Sequence, residues 1–239
     1  MSDYLKEPCE DQYPKVNLNI EFAPHKVMHI IVPAKKGNQV KYNPLILFVT
    51  QKARVKQENY HFPALLTLAS HGFTIAILPT NQLTGIAQEQ VCQIKTALRH
   101  LLMHAYKFDI DTNRYFIWGE EQGAFLSSLC VLTANQQDWN AEDARVLPLR
   151  FKAGIAYGLP DPQELIFQIP SHKCAPLILF SGLQDAHTNV DETEEFIAQM
   201  EAKEHEAEST FLEETTNGTD AFYTPYMLTI LEKKLRKYL

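Results

Sequence analysis

Side chains able to support chemistry are spread unevenly through this sequence. The four thiols lie far apart and form no CxxC pair, at Cys9, Cys92, Cys130 and Cys174. This spacing predicts free cysteines rather than a zinc site or a redox pair. His100 and His104 have the i, i+4 spacing that can bind a metal on one helix face, but they are not part of an HExxH pattern. We therefore expect no metal and no cofactor.

Carboxylates that follow apolar runs are stronger candidates. Glu120 and Glu121 stand between two glycines in the stretch Gly-Glu-Glu-Gln-Gly at 119–123, directly after the apolar run 115–118. Asp185 follows another apolar run, 177–181. If both runs are strands of a parallel sheet, these carboxylates lie at its carboxyl edge, where open α/β sheets bind their ligands. We expect any small-molecule ligand to bind at that edge.

Apolar runs and amphipathic segments alternate along the chain, and they would position these carboxylates. Eight runs have the length of strands, at 16–22, 27–32, 45–49, 73–78, 115–118, 151–157, 177–181 and 210–213. Helical spacing covers five segments, at 60–70, 85–106, 124–132, 190–205 and from Pro225 onward, with Thr224 as the N-cap of the last. This order predicts an α/β fold, a three-layer α/β/α sandwich with a mostly parallel sheet of about eight strands. The first two strands lack a helical connection and should form an antiparallel edge.

Length and charge narrow the classes of protein further. The 239 residues fit a single domain spanning 1–239, in which 1–15 is a poorly ordered or edge segment. A net charge of −7 argues against a nucleic-acid binder. The N-terminus is polar, and no apolar run approaches the ~20 residues that span a bilayer. We expect a cytoplasmic protein without membrane contact.

Three stretches give the chain a resemblance to a known superfamily. Residues 108–119 look like a helix-to-strand approach to a nucleophile, residues 180–185 look like a strand and turn that carry an acid, and residues 217–222 look like a loop that carries a histidine. In this order and spacing they resemble the compact esterase/lipase branch of the α/β-hydrolase superfamily, from about residue 16 onward. The resemblance implies an α/β-hydrolase-like fold and places the nucleophile, acid and base at Glu121, Asp185 and Asp220.

The resemblance also implies that the catalytic motifs are degenerate. Glu121 replaces the serine of G-x-S-x-G, and Asp220 stands where a histidine would act as base. The stretch Thr50-Gln51-Lys52-Ala53 has neither the histidine nor the glycines of an oxyanion-hole loop. Losing one oxyanion donor typically costs about 10² to 10³ in rate, and losing the nucleophile or the base leaves only residual catalysis. We expect Thr50, Gln51, Lys52 and Gln122 to line an altered binding site.

Two hypotheses concern the charges at this edge. Lys52 could pair with Glu121 and plug the former pocket, because both fall at catalytic positions and have opposite charge. Alternatively, Glu121, Asp185 and Asp220 could together bind a cation such as Ca²⁺ or Mg²⁺. Each carboxylate also has an ordinary structural explanation. Glu120 and Glu121 would suit a surface helix N-terminus, Asp185 a turn after a strand, and Asp220 a loop or local cap.

Three functional interpretations follow from the sequence. The leading one is a superfamily member that is non-catalytic or has an altered ligand-binding site. The alternative is an active carboxylesterase-type hydrolase of small acyl substrates that uses a non-standard site, for which Glu121 would have to act as a nucleophile despite its longer side chain. A third is a homodimeric scaffold formed through the last helix and the last strand.

Overall fold

A mixed sheet of eight strands organises the part of the chain described by the computed structural model, which comprises residues 13–35, 42–51, 61–140 and 148–239. In chain order the strands are β1 (Lys15–Ala23), β2 (Lys26–Val32), β3 (Asn43–Thr50), β4 (Thr74–Pro79), β5 (Ile110–Glu120), β6 (Gly154–Tyr157), β7 (Leu177–Gly182) and β8 (Ala207–Leu212). Their order across the sheet is β1-β2-β4-β3-β5-β6-β7-β8. β1 pairs with β2, and β2 with β4, in antiparallel fashion, and all other pairs are parallel. The predicted fold class and antiparallel edge are confirmed.

Helices cover both faces of this sheet. They are α1 (Phe62–Ser70), α2 (Ala87–Met103), α3 (Gln122–Leu132), α4 (Pro162–Ile166), α5 (Val190–Ala202) and α6 (Pro225–Lys237). One buried apolar cluster contains residues of α1 and α6, and a second contains residues of α2 to α5. In the described ranges, the three-layer arrangement therefore has two helices on one face and four on the other.

The central strands are apolar because both of their faces are covered. Every residue of β3 is buried. In β5 the side chains alternate between the two apolar clusters, so that Tyr115 and Ile117 belong to the α2–α5 face and Phe116 and Trp118 to the α1–α6 face. This alternation fixes the face to which the following residues of the strand point.

Element ends differ from the sequence prediction in two strands that matter for the site. β5 was predicted at 115–118 but reaches Glu120, because its ladder with β6 extends to the pair Glu120–Tyr157. β8 was predicted at 210–213 but lies at Ala207–Leu212, on the sheet edge, where half-buried residues carry little alternation. Thr224 caps α6 as predicted, accepting a hydrogen bond from the backbone N–H of Met227 at 3.3 Å.

Two further expectations concern the ends of the fold and the membrane. The sequence predicts that residues 1–15 form a poorly ordered or edge segment. Of these, residues 1–12 lie outside the described residues, and β1 begins at Lys15. Within the described ranges, no helix has the length and apolar character needed to cross a bilayer.

The antiparallel edge contains a titratable contact that predicts acid sensitivity. His29 in β2 accepts a hydrogen bond at Nδ1 from the backbone N–H of Asn19 at 3.1 Å, and burial lowers its pKa below the usual 6.5. The unfolded chain therefore binds a proton on this histidine more readily than the folded chain does, so folding stability should fall as pH drops below about 6.5.

A His29→Gln variant, which keeps an acceptor but cannot titrate, should show a flatter decline in the free energy of unfolding between about pH 7 and 5. Urea denaturation at several pH values measures this. His25→Gln, at an exposed position of the same hairpin, should retain the wild-type slope. Equal slopes for wild type and His29→Gln would contradict the assignment.

Candidate functional site

Glu121 forms a sharp turn between β5 and α3. Its backbone has φ 51° and ψ −122°, a conformation that residues other than glycine rarely adopt, at a typical cost of about 1–3 kcal/mol. The turn is held by backbone hydrogen bonds, since the N–H of Glu121 donates to the carbonyl of Tyr157 at 2.8 Å and its carbonyl accepts from Ala124 at 2.9 Å. The centre of the Gly-Glu-Glu-Gln-Gly stretch is thus a strained strand-to-helix turn.

The two flanking glycines allow this turn because there is no space for a side chain at either position. A Cβ atom on Gly119 would lie 2.0 Å from the carbonyl oxygen of Gly123, and one on Gly123 would lie 2.2 Å from the carbonyl oxygen of Val49. Contacts this short require backbone movement. The first turn of α3 is therefore pressed against the end of β3, which brings Gln122 close to the residues that follow that strand.

Glu120 lies beneath the turn and is the main residue that sequence reasoning missed. The alternative explanation, a surface acid at a helix N-terminus, is wrong for Glu120, because only 2% of this residue is exposed. Its carboxylate accepts hydrogen bonds from the hydroxyl of Tyr223, at 2.6 Å, and from the hydroxyl of Thr50. As the last residue of β5, it shares the α1–α6 face with Trp118.

His61 and Tyr223 complete this buried polar cluster. Nε2 of His61 lies 3.3 Å from a carboxylate oxygen of Glu120, and its ring stacks on that of Tyr223 with centroids 3.6 Å apart. Burial, followed by the charge of Glu120, raises the pKa of Tyr223 well above its ordinary value, so its hydroxyl stays protonated and donates to the carboxylate. Thr50 was expected to line the binding site, but it is fully buried and its hydroxyl is bonded to Glu120.

Asp185 is bonded to the loop that follows β8. Its carboxylate accepts hydrogen bonds from the backbone N–H of His187 at 2.9 Å and of Asn217 at 3.0 Å. The side chain of Asn217 accepts from the N–H of Gly182 at 2.8 Å and donates to the hydroxyl of Thr188 at 3.0 Å. The structure thus brings the acid next to the predicted base loop, but main-chain amides occupy its oxygens.

Asp220 is exposed and begins a short 3-10 helix, Asp220–Tyr223. The same segment ends at Tyr223, whose hydroxyl reaches Glu120. The loop is therefore attached to the turn by its tyrosine, and to Asp185 by the backbone of Asn217. No histidine occurs between Glu213 and Thr224.

A pocket of about 520 Å³ lies beside the turn and is lined by Gln51, Thr80, Asn81, Gln90 and Gln122. The ends of β3 and β4 pair at Thr50 and Pro79, which places Gln51 and Thr80 side by side at the carboxyl edge. Two of the predicted binding residues, Gln51 and Gln122, therefore line the same pocket. Lys52, and with it the proposed pairing with Glu121, lies outside the described residues.

The cation hypothesis finds no support in the part of the chain that the structure describes. Among those residues, no group of three or more His, Cys, Asp or Glu side chains is placed to hold a metal ion. Burial also raises the pKa of Cys130 to about 12 and that of Cys174 to about 11, which disfavours their thiolate forms at neutral pH.

Comparisons with known proteins agree with this architecture. The BD-FAE family model matches residues 28–155, just over half of the chain. Esterase B from Lactobacillus rhamnosis superposes with a TM-score of 0.72 at 13% identity, covering 95% of this chain and 86% of that one. The thermophilic esterase Est2 from Thermogutta terrifontis, with propionate bound, gives 0.69 at 14% identity, with 95% and 94% covered.

A further structure is that of Thermogutta terrifontis esterase 2 phosphorylated by paraoxon. It gives a TM-score of 0.70 at 16% identity, and the superposition covers 98% of this chain and 97% of that one. No curated protein matches the sequence.

The buried cluster predicts a specific loss of stability. Tyr223→Phe removes a hydrogen bond to a buried carboxylate and should lower the free energy of unfolding by about 1.5–3 kcal/mol. Tyr226→Phe, at an exposed position of the next helix, should change it by less than about 0.5 kcal/mol. Chemical denaturation measures both, and similar values for the two variants would show that the Glu120 contact contributes little.

The strained turn predicts the opposite effect. Glu121→Gly relieves the positive φ and should raise the free energy of unfolding by about 1 kcal/mol, since the strain removed exceeds the added chain entropy. Gln122→Gly, one residue later in the regular helix, should lower it by up to about 1 kcal/mol. Thermal unfolding of the two variants tests the sign, and destabilisation by Glu121→Gly would indicate that the carboxylate makes contacts worth more than the strain.

Proposed function

Because the chain belongs to the BD-FAE family and has an esterase-like α/β-hydrolase fold, we propose that it is a member that has lost ester hydrolysis and binds a small molecule at the carboxyl edge of its sheet. The observation that carries the proposal is the backbone of Glu121, whose φ of 51° forms the strained turn on which the superfamily places its nucleophile. A carboxylate now occupies that position.

The remaining machinery of acyl transfer is also replaced. A triad enzyme needs an imidazole that takes the proton of the nucleophile and is oriented by an acid. Asp185 accepts hydrogen bonds from the main-chain amides of His187 and Asn217, and the loop 213–224 contains no histidine. An acyl anhydride formed by attack of Glu121 on an ester would also need a general base to activate water.

The alternative is an active hydrolase of small acyl substrates with a non-standard site. The observation in its favour is the His61–Glu120 contact at 3.3 Å, because it places an imidazole next to the residue before the turn. Both side chains are at least 97% buried, however, and the imidazole stacks on Tyr223. This geometry favours a structural role for the histidine.

Hydrolysis of p-nitrophenyl acetate distinguishes the two functions. Wild-type protein and the Glu121→Ala variant should show the same rate, equal to that of the uncatalysed reaction with added inert protein. Glu121→Ser should not raise this rate by more than about tenfold, because a serine without its base is barely activated. A wild-type rate clearly above that of Glu121→Ala, lost again in His61→Ala, would establish the alternative.

Labelling by paraoxon provides an independent measurement that does not depend on the choice of ester. The related esterase 2 is phosphorylated by this compound. Intact-mass analysis of the present protein after the same treatment should show no stoichiometric adduct. A single adduct mapping to the carboxyl edge would reveal an activated nucleophile and contradict the loss of catalysis.

A further inference from the structure

His100 and His104 lie one turn apart at the end of α2, at the opposite end of the strands from Glu121. α2 follows the carboxyl end of β4 and ends shortly before β5 begins, so its last turn lies at the amino edge of the sheet. Both side chains are half-buried. Their ring centroids are 4.3 Å apart, with an angle of 31° between the ring planes. The two imidazoles are thus assembled on one face of the helix.

The backbone orients one of these rings. Nδ1 of His104 lies 2.9 Å from the carbonyl oxygen of His100, and because a carbonyl can only accept, Nδ1 carries the proton of the neutral imidazole. Its lone pair is therefore on Nε2, to which no residue in the described ranges donates a hydrogen bond. Histidines that bind metals usually donate their other N–H to a carbonyl or a carboxylate in this way, which fixes the tautomer and the ring orientation.

The distance between the rings fits a shared metal ion. With metal–nitrogen bonds of about 2.0–2.1 Å and an angle of about 90–110° at the metal, two imidazoles on one ion have ring centres about 4.5–5.2 Å apart. The observed separation is 4.3 Å, so the rings would have to move apart by less than about 1 Å. Small rotations about the side-chain torsions supply this movement without leaving a rotamer well.

Two electrostatic features act on a cation at this position, in opposite directions. α2 ends at Met103, and the carbonyls of its last turn form the negative end of the helix dipole, which attracts cations. The ammonium of Lys107 opposes a cation here. Burial, followed by the charges of His104 and Lys107, also lowers the pKa of His100 below its usual 6.5, so that at neutral pH a metal ion does not have to displace a proton from this ring.

We propose that His100 and His104 chelate a divalent transition metal ion that prefers imidazole ligands, such as Ni²⁺ or Zn²⁺, with water completing its coordination. Mg²⁺ and Ca²⁺ require oxygen ligands, which neither ring supplies. Among the described residues no third His, Cys, Asp or Glu completes the set, so the site is open to water. The glutamate missing from the HExxH pattern acts as a general base rather than as a ligand, and its absence therefore removes hydrolytic chemistry but not metal binding.

Calorimetric titration of the untagged full chain with Ni²⁺ at pH 7.5 tests the proposal. The wild type should bind Ni²⁺ saturably, whereas Mg²⁺ should give no saturable heat. His100→Gln and His104→Gln should each weaken Ni²⁺ binding at least about tenfold, because the loss of an outer-shell partner alone commonly costs that much. Glutamine retains a good helix propensity, and thermal unfolding without metal checks that both variants are folded.

Two further variants separate this site from general binding to surface histidines. His172→Gln removes an exposed histidine that has no second histidine four residues away, and it should leave the Ni²⁺ affinity unchanged. Lys107→Gln removes the opposing charge and should strengthen binding by about two- to fivefold at low ionic strength. Absence of saturable Ni²⁺ binding by the wild type, an equal response to Mg²⁺, or equal Ni²⁺ affinities of the wild type and the His100 and His104 variants would overturn the proposal.

Discussion

The buried carboxylate of Glu120 joins the elements that meet at the carboxyl edge of the sheet. It receives hydroxyl hydrogen bonds from Thr50 at the end of β3 and from Tyr223 in the segment before α6, and it lies against His61 at the start of α1. A carboxylate placed in an apolar interior is costly unless its oxygens are bonded, so these partners must stay in place once the protein is folded. The position of the loops around Glu121 follows from this requirement. A single buried acid therefore holds together the elements that meet at this edge.

The sequence predicts the fold well because the fold depends on burial patterns. The run at 45–49 is apolar throughout, and β3 is buried on both faces. The helix cap at Thr224 depends on local chemistry and is also predictable. Edges are harder to predict, as β8 shows, because half-exposed strands tolerate polar residues and their alternation is weak.

The site was only partly predictable, for a physical reason that Glu120 and Glu121 illustrate. Two adjacent acids at the start of a helix look alike in sequence, yet one is buried and the other forms the strained turn. The alternation of β5 contains the missing signal, because Phe116, Trp118 and Glu120 are separated by two residues each and share one face. Ending the strand at Trp118 concealed it. The pocket, by contrast, joins residues that follow β3 and β4 to residues of α2 and α3, and no spacing in the sequence reports such a contact.

The turn at Glu121 also separates backbone shape from reactivity. Its geometry is imposed by the close approaches of Gly119 and Gly123 to their neighbours and by the amide bond to Tyr157, none of which involves the side chain at its centre. Different side chains could therefore be placed at position 121 while the backbone conformation of the turn is retained. A protein engineer could use it to mount a thiol or an artificial nucleophile on a ready-made scaffold.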